Sequence, residues 1–290
     1  MQWALVRSHL LAPRIAQAAL VLEAVGIPSR VDSANGEWQL RVPPLLLAAA
    51  ESELAAFARE NVASAVAVEP PRIDSGWIGV IAYLLVIWSL PTLEGRQVFG
   101  WSWTDAGVLD AHLVLHGQWW RTVTALTLHA DLGHLLGNSI FGAVFGLMLG
   151  RHLGSGLGWL LVVLCGALGN AIDAALRGAD FQSLGASTAT FATLAIVGAF
   201  VTRRGYYRGL NWRRRLGPAF AAFALLAFTG FGGERTDLVA HLAGFATGAV
   251  AGTFAAVLPI QSMGTALQRA AGMVALCIVV VSWMLAGAAT

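Results

Sequence analysis

A serine and a histidine lie where an apolar chain has little reason to keep a polar group. Ser187 sits just inside the stretch LGASTATFATLAIVGAFVT, and His241 just inside LVAHLAGFATGAVAGTFAAVL. An ionisable group within a membrane segment is costly and is usually kept for function. A serine hydroxyl is a poor nucleophile until a base takes its proton. A neutral imidazole is such a base, and it can return the proton to a leaving amine. The oxyanion formed in between needs fixed hydrogen-bond donors. His134 and Asn138, in HADLGHLLGN, are spaced i,i+4 and so share one helical face, and each can donate an N–H. The backbone N–H of Ser187, in the first turn of its segment, lacks a helical acceptor and is a further donor. His129 opens the same motif, and Gly185 and Ala186 precede Ser187, letting a substrate backbone come near.

None of these residues is decisive alone. Serine is common at helix interfaces in membranes, and an asparagine or histidine there can be a satisfied interhelical contact. Their joint depth is what counts. His129, His134, Asn138, Ser187 and His241 all fall near the starts of segments that run in one direction, and Ser187 and His241 lie roughly 5 Å past those starts at the helical rise. Asp131 and Asp237 read as interface charges, although Asp237, four residues before His241, is the alternative third member of a triad. A metal reading would gather His129, His134 and His241 on zinc. HADLGH is not HExxH, however, and no carboxylate stands as companion base, so no metal or cofactor is expected.

The elements that must hold these groups are membrane helices. The 290 residues are 57% hydrophobic and 12% charged, too apolar for an ordinary soluble domain. A spanning helix needs about 20 apolar residues. Seven candidates follow: Trp77–Leu93, Leu132–Gly150, Leu157–Leu176, Leu184–Thr202, Leu216–Phe231, Leu238–Leu258 and Ala270–Ala288. All basic residues are arginines, and six of them (203, 204, 208, 213, 214 and 215) fill the gap between spans four and five. The positive-inside rule makes that gap cytoplasmic, with the N-terminus inside, the C-terminus outside and the polar cluster near the outer face. Glycines at 142, 146 and 150 in span two, and at 244, 248 and 252 in span six, allow close helix packing. The long first outer gap carries Trp101, Trp103, Trp119 and Trp120, which favour the membrane interface. Cys165 and Cys277 fall in apolar segments and read as packing residues. A net charge of +2 gives no case for nucleic acid. No inverted repeat or broken-helix pair points to a transporter.

Residues 1–65 differ in kind. Strand and helix signals alternate as βαββα, with an Asn35-Gly36 turn between the second and third strands, which predicts a small α+β cytoplasmic domain. Residues 66–76, with Pro70-Pro71, read as a linker. Arg7, Arg14 and Glu23 interrupt any apolar core of a secretory signal.

Four motifs carry a resemblance. GQWWR at 117–121, HADLGHLLGN at 129–138, GAST at 185–188 and AHLAGFATG at 240–248 resemble the rhomboid intramembrane serine proteases, over roughly residues 77–288. The resemblance implies a six-helix core, here with a seventh C-terminal transmembrane helix. It implies Ser187 as nucleophile, His241 as general base, an oxyanion hole of His134, Asn138 and the Ser187 N–H, and supporting places for His129, Gly185, Phe191, Trp120 and Arg121. Partners would be transmembrane protein substrates in the lipid bilayer of a bacterial inner membrane. The chain departs from the family at Thr188, where Gly or Ala is usual, and at Phe191, where a Tyr often stacks on the histidine. An inactive relative acting as a membrane chaperone would be expected to lack the serine or the histidine. Residues 1–70 faintly resemble a ferredoxin-like bacterial regulatory domain, which would bind a cytoplasmic regulator or only stabilise the protein.

Overall fold

The computed structural model describes residues 3–34, 36–61, 71–206 and 237–290. The expected fifth span, Leu216–Phe231, and Asn35 of the expected turn lie outside the described residues. The chain divides into two compact units, residues 1–66 and 67–290.

In the first unit the order is β1 (Ala4–His9), α1 (Ala12–Ala24), β2 (Arg30–Ala34), β3 (Glu37–Val42) and α2 (Leu47–Glu60). The sheet order is β1-β3-β2, antiparallel throughout. Period-two alternation sends Leu40 and Val42 of β3 to one face, where Ile15, Ala18 and Leu22 of α1 and Ala50 and Leu54 of α2 cover them. Its other face is polar, carrying Arg30, Asp32, Gln39 and Arg41.

The second unit is helical. Among the described residues its long helices are α3 (Trp77–Gly95), α7 (Leu132–Leu153), α8 (Ser155–Arg177), α9 (Ser187–Arg204), α10 (Leu238–Ala255) and α11 (Thr265–Ala288). Between α3 and α7 run α4 (Trp103–Gly107), β4 (Leu109–Asp110), α5 (Ala111–Leu115) and α6 (Arg121–Thr124), and β5 (Gln182–Ser183) precedes α9. Five of the long helices are long and apolar enough to cross a membrane, which makes the protein a polytopic membrane protein. The exception, α9, ends in Arg203-Arg204 and carries three buried threonines. A helix wrapped by other helices need not be apolar all round, and α9 packs against α7, α8 and α10. Thr190 and Thr193 return their hydroxyls to the carbonyls of Ala186 and Ala189, at 3.1 and 2.7 Å, so neither is left bare.

Glycines set the helix spacing. A Cβ at Gly244, Gly248 or Gly252 of α10 would lie 2.3, 2.4 or 2.3 Å from the carbonyl oxygens of Thr188, Ala192 or Ile196 of α9. On α7, a Cβ at Gly142 would meet the Tyr83 ring at 2.5 Å, and one at Gly146 would meet the Trp159 ring at 2.7 Å. Packing in lipid has no hydrophobic drive between helices, so such close van der Waals approach is what holds them.

Candidate active site

Three helices begin at one level and carry the expected polar residues. Asp131 caps α7, accepting from the His134 N–H at 2.8 Å, and Asp237 caps α10, accepting from the Ala240 N–H at 3.0 Å. Each cap fixes the helix start, and with it the height of His134 or His241. Helix α9 begins at Ser187 itself rather than three residues earlier, as the apolar run had suggested. The reason is Gly185, whose φ of 140° is closed to other residues and not helical. The Gly185 N–H donates to the Ala125 carbonyl at 2.9 Å, and Gln182–Ser183 pairs with Leu109–Asp110 as a short antiparallel ladder. The segment before the nucleophile candidate is therefore stitched to the loop between α3 and α7.

The structure brings Ser187 and His241 together. Nε2 of His241 lies 2.8 Å from Oγ of Ser187, a full hydrogen bond across two helices. His241 is 4% exposed. Phe191, one turn on from Ser187, stacks on the imidazole with centroids 4.5 Å apart and planes at 25°. It thus holds the ring's orientation without a hydroxyl. Asn138 is buried, and its Nδ2 has no hydrogen-bond partner among the described residues. His134 faces the same space: a Cβ built on Gly185 would lie 2.7 Å from His134 Nε2 and 3.6 Å from Ser187 Oγ. Gly185 therefore opens the gap that both groups line.

His129 meets His134 edge-on, with centroids 5.1 Å apart. It lies in the loop before α7, where burial, with His134 beside it, pushes its imidazole down to about 3. It is held neutral against the end of the helix that bears Asn138. Arg121 is buried away from the serine–histidine pair. Its guanidinium donates to the carbonyls of Asp105 and Val108, at 3.0 and 2.9 Å, and to Gln118 Oε1 at 2.7 Å, which ties the loop to itself. Trp120 packs beside it on the cluster formed by Leu90, Trp103 and Trp283. Thr188 does not enter the gap either. It is buried, and its methyl lies against Gly169 of α8 and Gly244 of α10. The departure from the usual small residue is absorbed by two glycines.

Sequence reasoning missed several supports. Asp173 of α8 is fully buried, 3.7 Å from Arg177 Nε, and Arg177 also reaches Asp237 at 3.4 Å. Asp237 is thus a helix cap paired with an arginine, rather than a freely solvated charge. A lone aspartate inside span three was the available signal. Asn170 Nδ2 donates to the Thr122 carbonyl at 2.9 Å, and the Tyr83 hydroxyl donates to the Asn138 carbonyl at 2.9 Å. Nothing local in the sequence distinguishes these two from ordinary helix contacts.

Comparison with known proteins agrees with the motifs. Residues 116–257 match the family described as Rhomboid domain. Over 169 residues the chain is 28% identical to a Bacillus subtilis (strain 168) protein described as "Putative rhomboid protease YdcA", an alignment covering 58% of this chain and 82% of that one.

Proposed function

We propose, from the premise that this chain belongs to the rhomboid family, that it is a serine endopeptidase that cuts membrane proteins in or beside their transmembrane segments. The observation that carries the reading is the 2.8 Å contact between Ser187 Oγ and His241 Nε2. In the first step Oγ attacks the scissile carbonyl carbon while Nε2 takes the hydroxyl proton. The carbonyl oxygen becomes an oxyanion, stabilised by donors preorganised to meet it: Asn138 Nδ2, His134 and the Ser187 backbone N–H. Collapse expels the amine, which takes its proton from His241, and leaves an acyl ester on Ser187. Water then attacks that ester, His241 takes the water's proton, and the serine leaves with it. No step calls for a metal or cofactor.

The site lies at the end of the helices opposite Arg203 and Arg204, so the arginine rule puts it near the outer face of the membrane, with residues 1–65 in the cytoplasm. The six-helix core that the resemblance implies, with α11 added, would need the span expected at Leu216–Phe231, which lies outside the described residues. A helical substrate must unwind to offer a carbonyl, so small or helix-weakening residues near its outer end favour cleavage. The bacterial inner membrane is the fitting location. Residues 1–65 form a separate regulatory or stabilising domain, and deleting them while measuring turnover separates the two roles.

Purified protein in detergent, given a model transmembrane substrate, tests the reading. Ser187→Ala abolishes cleavage with the fold intact, and a fluorophosphonate labels Ser187 in the parent but not in His241→Ala. Cleavage that survives Ser187→Ala refutes the nucleophile.

A further inference from the structure

Helix α3 supplies none of the reacting groups, yet one of its side chains stands between the helices that do. Tyr83 lies in the notch that Gly142 leaves on α7, and a Cβ there would be 2.5 to 2.7 Å from the ring and its oxygen. The ring stacks on Trp159 of α8, with centroids 5.0 Å apart and planes at 22°. Both contacts fix the ring, so the hydroxyl has little freedom. The hydroxyl donates to the backbone carbonyl of Asn138 at 2.9 Å. Its oxygen lies beside the Thr190 hydroxyl of α9. Thr190 in turn donates to the carbonyl of Ala186, the residue before Ser187, at 3.1 Å. Two neighbouring hydroxyls therefore hold the two backbones, Tyr83 that of the oxyanion-donor candidate and Thr190 that which presents the nucleophile candidate.

We propose that Tyr83 is a positioning residue for this chemistry: its hydroxyl sets the spacing between Asn138 on α7 and Ser187 on α9. The inference rests on the protease reading given above. The physical reason is that an oxyanion donor stabilises the transition state only when it already sits where the charge develops. A displacement of about 1 Å is enough to cost up to about a hundredfold in rate. Substrate binding through remote contacts does not depend on that spacing, so KM is spared. Buried hydroxyls in a membrane are also worth most when every member of the chain is satisfied. Tyr83 and Thr190 each spend their one proton on a carbonyl, of Asn138 and of Ala186.

The test is Tyr83→Phe, which keeps the ring in its notch and on Trp159 and removes only the hydroxyl. Cleavage of a model transmembrane substrate is followed with the full chain in detergent, alone and combined with Asn138→Ala. Expected is a fall in kcat of about tenfold with KM unchanged, and little further loss when Tyr83→Phe is added to Asn138→Ala. Thr190→Val, of nearly the same shape, is expected to reproduce the fall and to be non-additive with Tyr83→Phe. An unchanged kcat, or losses that multiply in the Asn138→Ala background, overturns the positioning role while leaving the protease reading standing. Cleavage that persists in Ser187→Ala instead overturns that reading, and the role of Tyr83 with it.

Discussion

The glycine stripe of α10 allows the Ser187–His241 contact to be disturbed by stages. A methyl at Gly244, Gly248 or Gly252 would stand 2.3, 2.4 or 2.3 Å from a carbonyl oxygen of α9. Comfortable contacts begin near 3.5 Å, so each alanine drives the two helices about 1 Å apart at its own level. Over-packing of this kind costs about 1–3 kcal/mol, partly offset by the roughly 1 kcal/mol by which alanine is the better helix former. The three variants should therefore lose similar stability. Their distances from His241 differ: three, seven and eleven residues are roughly 4.5, 10 and 16 Å along the axis. A separation of about 1 Å at Gly244 carries the 2.8 Å bond beyond hydrogen-bonding range, whereas at Gly252 about three turns of helix can absorb it. Turnover should fall on the order of 100-fold in Gly244→Ala, less in Gly248→Ala and least in Gly252→Ala. Thermal unfolding and cleavage of a model transmembrane substrate, measured on the same detergent preparations, check this. Equal turnover losses across the series, or an active Gly244→Ala, would show that helix spacing does not control the Ser187–His241 contact.

Asn138→Ala removes a side-chain donor and should lower kcat about 10²- to 10³-fold at unchanged KM, and an unaltered kcat removes it from the oxyanion hole. Gly185→Ala puts a methyl 2.7 Å from His134 Nε2 and forces a φ of 140° on an L-residue. Both cleavage and fluorophosphonate labelling should be lost, and a labelled variant would show that the gap is not shared. Burial keeps His129 neutral in the fold, with its titration lowered from 6.5 to about 3. The unfolded chain therefore binds the extra proton first as pH falls below 6.5, and this group's contribution to stability is lost progressively between 6.5 and about 3. His129→Gln should flatten that part of the stability-against-pH curve, read by thermal unfolding in detergent, and an unchanged curve contradicts the buried neutral state.

The residues at the centre of the candidate site were legible in the sequence because lipid penalises polar groups. Ser187, His241, His134 and Asn138 stood out against an apolar background, and the two glycine series declared which helices could approach. The start of α9 was not legible. Leu184 continues the apolar run, while the break comes from the φ of Gly185 and from a two-residue ladder to Leu109–Asp110, which are tertiary facts. Thr188 departs from the family's usual Gly or Ala, and only the fold shows Gly169 and Gly244 receiving its methyl. Tyr83 was invisible for a different reason. A tyrosine in a membrane helix has an ordinary interfacial reading, and only the notch at Gly142, about sixty residues on, gives its hydroxyl a task.

The last helix illustrates why counting spans understates what they do. By resemblance alone α11 is an appendage to a six-helix core. Its contacts argue otherwise. Near its start, Gln268 donates to the Leu153 carbonyl and accepts from the Leu157 N–H, each at 2.9 Å, which closes the turn between α7 and α8. Near its end, Trp283 donates to the Thr127 hydroxyl at 3.1 Å, and its ring fills the space that Gly107 leaves. Fifteen residues separate the two contacts, roughly 22 Å of a hydrocarbon core about 30 Å thick. Thr127 lies two residues before His129 and two after Ala125, whose carbonyl holds Gly185 in place. A helix fastened at both levels to the elements that carry the site restrains that site's geometry, even though none of its side chains reaches Ser187.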